Sequence, residues 1–226
     1  MSLFLYSTEF LEPLPSAQFQ LLLDLLPDAL QQKVLKYRRW EDSHASLLGK
    51  LLLRLALENV GYPSDLSRLH YGEWQKPGLP QGPEFSITHS GNRALCMLST
   101  RGRTGIDIEF LKPLAFEDFK DQFTQREWTA IHAAPTPLDS FYHFWTAKES
   151  LIKADGRGLG IPLQGLDLSK GNTLLLDGQL WFTRELPLFK GYAFHFSIEG
   201  TDPPPIKFHE VPPYRLLELS RGWTRF

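Results

Sequence analysis

Two short stretches of this chain carry charge where packing alone would not put it. In Gly105-Ile-Asp-Ile-Glu109, strand alternation sends Ile106 and Ile108 to one face and Asp107 and Glu109 together to the other. Carboxylates two residues apart on a strand lie roughly 7 Å from each other and repel unless a cation or a basic group stands between them. Cys96 is the one cysteine, so no thiolate cluster competes as a metal site. Oxygen donors favour Mg²⁺, which takes one or two carboxylates together with substrate phosphates. An edge strand with a solvated acidic face is the plain alternative.

The second stretch is helical. Leu138, Phe141, Tyr142, Trp145, Leu151 and Ile152 recur at helical spacing, and Lys148 and Glu149 fall inside that apolar stripe. A buried bridge between the two would explain them, but neighbours on a helix diverge by roughly 100° and do not face each other. The expectation is therefore that Glu149 joins Asp107 and Glu109 around a metal ion. Lys148, and Lys153 one turn beyond Glu149, would then reach ligand phosphates. His89 at the end of a strand, Lys76 on a loop, and the group Lys33, Lys36, Arg38 and Arg39 would meet the same phosphate-rich ligand. Each also has an ordinary surface or structural reading.

The elements that must position these residues follow from pattern. Phe19–Leu26 predicts a short helix, and a second runs from Pro27 to about Tyr37. A third spans Ser43 to Val60, nearly encircled by leucine and stopped by Gly61 and Pro63. Residues 85–89 and 94–98 read as a hairpin, 104–110 as a strand, 138–154 as a long helix, and 173–176, 180–183 and 192–198 as further strands. The expected fold class is α+β, with two similar lobes in one chain. Each lobe has a long apolar helix on a small, mostly antiparallel sheet. Residues 1–102 form the first lobe and 103–226 the second, with the crossover at 99–104 and an extended surface tail after Pro203. A net charge of −2 argues against nucleic acid as a partner. No apolar run approaches the roughly 20 residues of a membrane span, and the first ten residues lack a signal-peptide pattern, so a cytoplasmic location is expected.

Gly105-Ile-Asp-Ile-Glu109 followed by Phe144-Trp-Thr-Ala-Lys-Glu-Ser-Leu-Ile-Lys153 resembles the paired signature of 4′-phosphopantetheinyl transferases, of the two-lobed, surfactin-synthetase-activating type. The likeness runs from about Lys33 to Leu163, with Glu41–Gly49, Gln75-Lys-Pro77 and Ile87–Gly91 as weaker matches. It implies a monomeric enzyme that moves the phosphopantetheine arm of coenzyme A onto a serine of an apo acyl or peptidyl carrier protein, releasing 3′,5′-ADP. By that resemblance Asp107, Glu109 and Glu149 hold Mg²⁺, and His89, Lys148 and Lys153 contact phosphates. Lys33, Lys36, Lys76 and Ser46 take the 3′-phosphate and adenine end, and Thr88 stands in the coenzyme A loop. Glu149 or Glu127 takes the serine proton, and Lys153 serves the leaving phosphate. Ala45 stands where relatives often carry arginine, while Ser46 and Thr88 exchange one hydroxyl for another. A Mg²⁺-dependent hydrolase of nucleotide diphosphates, or a non-catalytic coenzyme A or carrier-binding module, are the rival readings.

Overall fold

The first half of the chain runs through one strand, three helices and a hairpin, and the second half follows a similar course with one strand, two helices and a three-stranded meander. In the computed structural model, which describes residues 2–223, the order is β1 (Leu3–Glu9), α1 (Ser16–Leu23), α2 (Asp28–Leu35), α3 (Trp40–Asn59), a small ribbon of β2 (His70–Tyr71) and β3 (Pro77–Gly78), then β4 (Glu84–Ser90) and β5 (Arg93–Ser99). The second half holds β6 (Thr104–Phe110), α4 (Gln125–Ala133), α5 (Pro137–Asp155), β7 (Thr173–Leu176), β8 (Gln179–Glu185) and β9 (Tyr192–Glu199). β10 (Ile206–Glu210) and α6 (Pro213–Leu219) follow. One sheet runs β10-β1-β5-β4 and the other β6-β9-β8-β7. Within them β1-β5-β4 and β6-β9-β8 pair antiparallel in matching order, so the two-lobed α+β architecture expected from the sequence is present. No helix among the described residues is long and apolar enough to cross a membrane.

Each long helix packs on its own sheet. In α3 the leucines at 47, 48, 51, 52, 53, 55 and 57 are all buried, as their encircling pattern predicts. In α5 the contact with β6 is closest at Gly105, where an added Cβ would stand 2.2 Å from the Ser150 carbonyl oxygen and 2.3 Å from the Ala154 nitrogen. Only a glycine lets helix backbone and strand backbone approach this far. That approach brings the acidic face of β6 against the helix turn carrying Glu149 and Lys153.

The lobes join through side-chain hydroxyls rather than a backbone ladder. Ser86, Thr88 and Ser90 on β4 accept the backbone N–H groups of Ile106, Ile108 and Phe110 on β6, at 3.1, 3.4 and 3.1 Å. Period two puts all three hydroxyls on one face of β4, and the constant offset of twenty residues sets the strands parallel. Behind the seam, Leu3, Leu5, Leu95 and Met97 of the first sheet share a core with Ile106, Ile108, Phe194, Phe196 and Ile198 of the second.

Three regions differ from expectation. β1 went unread because both its faces are covered, Leu3 and Leu5 by the second sheet and Tyr6 by the helical side, so it shows no polar alternation. The tail after Pro203 was expected to trail over the surface with the second lobe. Instead β10 pairs parallel with β1 in the first sheet, and Leu216 of α6 is buried in the first lobe's core. α4 is a third addition, opened by a capping box between Thr124 and Glu127.

Candidate active site

The acidic face of β6 opens into a cleft of about 360 Å³ at the seam between the lobes, lined by Ile87, Thr88, His89, Asp107, Glu109, Trp145, Glu149 and Lys153. Asp107 is 4% exposed. Its Oδ1 accepts from Lys153 Nζ at 2.5 Å and from Thr88 Oγ1 at 3.2 Å, while its buried Oδ2 has no hydrogen-bond partner. Glu109 Oε2 accepts from Ser90 Oγ at 2.7 Å. The hydroxyls that zip the lobes therefore also hold two of the carboxylates.

Burial raises the pKa of Asp107, against the pull of Lys153 and Thr88. It raises that of Glu109 and Glu149 as well, and the charge of Asp107 adds to both. Burial opposes the Lys153 ammonium, but attraction to Asp107, and then to Glu149 and Glu109, outweighs it and raises the pKa. One ammonium thus serves three crowded carboxylates. A buried carboxylate oxygen without a partner is costly, and a second positive charge beside it would offset that cost. The donors are all hard oxygens, so Mg²⁺ fits the set.

Two further pockets continue the cleft through the shared residue Ile87. One, of about 310 Å³, is lined by Lys33, Tyr37, Ser46, Lys50, Tyr71, Phe85 and His89 among others. The other, of about 260 Å³, includes Trp74, Lys76, Pro77, Ser86, Ile152 and Lys153. Burial also lowers the pKa of His89, at the junction of the acidic cleft and the first of these pockets. Lys33 Nζ lies 3.6 Å above the Tyr71 ring. Lys50 Nζ donates to Ser46 Oγ at 2.7 Å and to the Ser46 carbonyl at 3.0 Å. Burial, and then Lys33, bring the Lys50 pKa down to about 8. The sequence reading missed Lys50. Its signal was a lysine inside a helix otherwise ringed with leucine, one turn after Ser46.

Of the residues singled out from sequence, Asp107, Glu109, Glu149, Lys153, His89 and Thr88 come together in one cleft, with Lys33, Ser46 and Lys76 along its extensions. Lys76 is committed to the Ala154 carbonyl at 2.9 Å and to Glu84 at 3.3 Å, which ties its loop to the end of α5. The Thr88 hydroxyl is spent on Asp107 and the Ile108 N–H, so it positions a carboxylate. Lys36 is exposed beyond the end of α2 and lines none of these three pockets.

Lys148 and Glu127 require correction. Both side chains are 0% exposed and pair with each other at 2.7 Å. Lys148 Nζ also donates to the carbonyls of Gln122, Leu163 and Leu166 at 3.2, 2.7 and 2.9 Å. Glu127 accepts the N–H groups of Thr124 and Leu168, at 2.9 and 3.0 Å. Neither can reach a phosphate or a carrier serine. The lysine in the apolar stripe is a structural ion after all, with its partner on α4 instead of in the next position along the helix.

Comparison with known proteins identifies the family. The model of the 4′-phosphopantetheinyl transferase superfamily matches residues 103–193, which include the whole acidic site. The chain is 31% identical over 207 residues to 4′-phosphopantetheinyl transferase Sfp of Bacillus subtilis (strain 168), covering 89% of this chain and 84% of that protein. It is 33% identical over 146 residues to 4′-phosphopantetheinyl transferase gsp of Aneurinibacillus migulanus, covering 63% of this chain and 61% of the relative. It is 31% identical over 197 residues to the mouse L-aminoadipate-semialdehyde dehydrogenase-phosphopantetheinyl transferase, covering 74% and 64%.

Proposed function

From the premise that the chain belongs to the 4′-phosphopantetheinyl transferase superfamily, we propose how its cleft moves the phosphopantetheine group of coenzyme A onto a carrier-protein serine. The family supplies the reaction and both substrates. The metal, the residue roles and the division of labour between the lobes are our reading. The observation that carries it is the partnerless buried Oδ2 of Asp107, a residue that lines one cleft with Glu109, Glu149 and Lys153.

Asp107, Glu109 and Glu149 would hold Mg²⁺, which when bound supplies positive charge to the diphosphate. Lys153 neutralises the leaving phosphate and can protonate it. The serine oxygen bonds to the β-phosphorus of coenzyme A as the bond to 3′,5′-ADP breaks. Glu149 takes the serine proton, since Glu127 is sealed in its ion pair. The protein otherwise contributes positioning and charge, as phosphoryl transfer requires. Reaction of the apo carrier with coenzyme A and Mg²⁺ should add one phosphopantetheine mass, and excess EDTA should stop it. Modification at full rate in EDTA sinks the metal assignment, and no modification of any carrier sinks the transferase reading. A monomer in the cytoplasm completes the proposal.

The first-lobe pocket supports a refined assignment of the 3′-phosphate to Lys33 and Lys50, with Ser46 orienting Lys50. A charge-assisted hydrogen bond is worth about 1.5–3 kcal/mol, or roughly 10- to 150-fold in affinity. Lys50→Ala should weaken coenzyme A by that factor and leave dephospho-coenzyme A nearly unaffected, read by calorimetry. The discrimination should also fade as pH rises through about 8, where Lys50 loses its charge. Equal losses for both ligands would move the 3′-phosphate elsewhere.

A further inference from the structure

Next to Asp107, on the same face of the second sheet, a second cluster of ligating side chains lies between β9, β8 and α5. Asp107 on β6 is the register partner of His195 on β9, and His195 in turn is the partner of Glu185 on β8. Directly opposed residues of antiparallel strands share a face, so these three form a row across the sheet beneath the helix. His143, on α5, completes a group with the last two. One ligand atom from each of His143, Glu185 and His195 lies within 4.8 Å of the others, the one group of this kind found among the described residues.

We propose that His143, Glu185 and His195 form a second metal centre, suited to a Zn²⁺-class ion and chemically distinct from the all-oxygen cleft. Two imidazoles and a carboxylate are the donor set that such an ion takes, with bonds of about 2.0–2.1 Å. A tetrahedron of those bonds has edges of about 3.3 Å. His143 Nδ1 already stands 3.2 Å from Glu185 Oε2. The two imidazole rings are 4.6 Å apart and nearly perpendicular.

The surroundings of His195 are built for ligation. Its Nδ1 lies 2.8 Å from Thr146 Oγ1, whose own hydrogen is directed to the carbonyls of Tyr142 and His143, at 2.8 and 3.3 Å. With that hydrogen on a carbonyl, the hydroxyl accepts from His195 Nδ1–H, which leaves the lone pair on Nε2. Fixing the tautomer of a ligating histidine through its other nitrogen is what an outer shell does in protein metal sites. The three residues border a groove of about 260 Å³ that also contains Asn172, Thr183 and Arg184, so the fourth coordination position is open to water or an anion. An ion there would clamp α5, the helix of Glu149 and Lys153, to β8 and β9.

The test is Zn²⁺ titration of the tag-free, metal-stripped protein by calorimetry, with Co²⁺ absorption as a spectroscopic readout. Wild type and Asp107→Asn should both bind one tight Zn²⁺ per chain and show the visible bands of tetrahedral Co²⁺. His143→Ala and Glu185→Ala, both changes at partly exposed side chains, should each weaken that binding by at least about tenfold and abolish the bands. Loss of the tight site in Asp107→Asn, retention in His143→Ala and Glu185→Ala, or no tight Zn²⁺ in wild type would each overturn the proposal.

Discussion

Asp107→Asn is expected to lower phosphopantetheine transfer on the order of 10²- to 10³-fold, the usual cost of removing one preorganised electrostatic group from a site of this kind, without lowering the melting temperature in EDTA. The sign follows from linkage. A carboxyl whose folded pKa is raised contributes stability that is present below its unfolded pKa and lost as pH rises through the folded one. Asp107, Glu109 and Glu149 are all raised, chiefly by burial. The upward shift of Asp107 already includes the attraction of Lys153, so neutralising it is a net gain for the metal-free fold. The variant should match wild type near pH 4 and equal or exceed it at pH 7. Melting far below wild type at pH 7 in EDTA would mean that the Asp107–Lys153 contact is a structural ion pair.

Lys148→Ala is expected to do the reverse. It leaves Glu127 buried without its counter-charge, at a cost of about 3–5 kcal/mol. In a chain of this size each kcal/mol moves the midpoint by about 2–4 °C, so melting should fall by roughly 6–20 °C. At a temperature where the variant is still folded, its KM for coenzyme A should stay near wild type. Glu127→Gln should also destabilise, because it strands the ammonium and because the N–H groups of Thr124 and Leu168 go to different carboxylate oxygens, of which the amide keeps one. A Lys148→Ala protein that melts normally but binds coenzyme A poorly would restore the phosphate role the sequence suggested.

The contrast between these residues shows where sequence reading works. Asp107, Glu109, Glu149 and Lys153 were legible because strand period and helix turn put them on defined faces, and no apolar neighbour explains them. Lys148 carried the same signal, a charge in an apolar stripe, for the opposite reason. What separates the two cases is the partner, Glu127 on α4, and no periodicity announces a contact between helices. Lys50 escaped because a helix ringed with leucine looks wholly structural, although one lysine in it lines a pocket together with Lys33 and Tyr71. The hydroxyl zipper was present as Ser86-Ile-Thr-His-Ser90. Its meaning appears only when β6 lies beside it and every second residue takes a backbone N–H. β10 was hidden for a related reason, since a five-residue edge strand depends on β1 for its existence.

The central claim is that the carboxylates of β6 and α5 hold the cation that the transfer needs. Mg²⁺ titration of the coenzyme A-saturated protein by calorimetry tests it without reference to any carrier. The account predicts one Mg²⁺ per chain in wild type, with the heat of binding lost in Asp107→Asn while coenzyme A still binds. Undiminished Mg²⁺ binding in Asp107→Asn would contradict it.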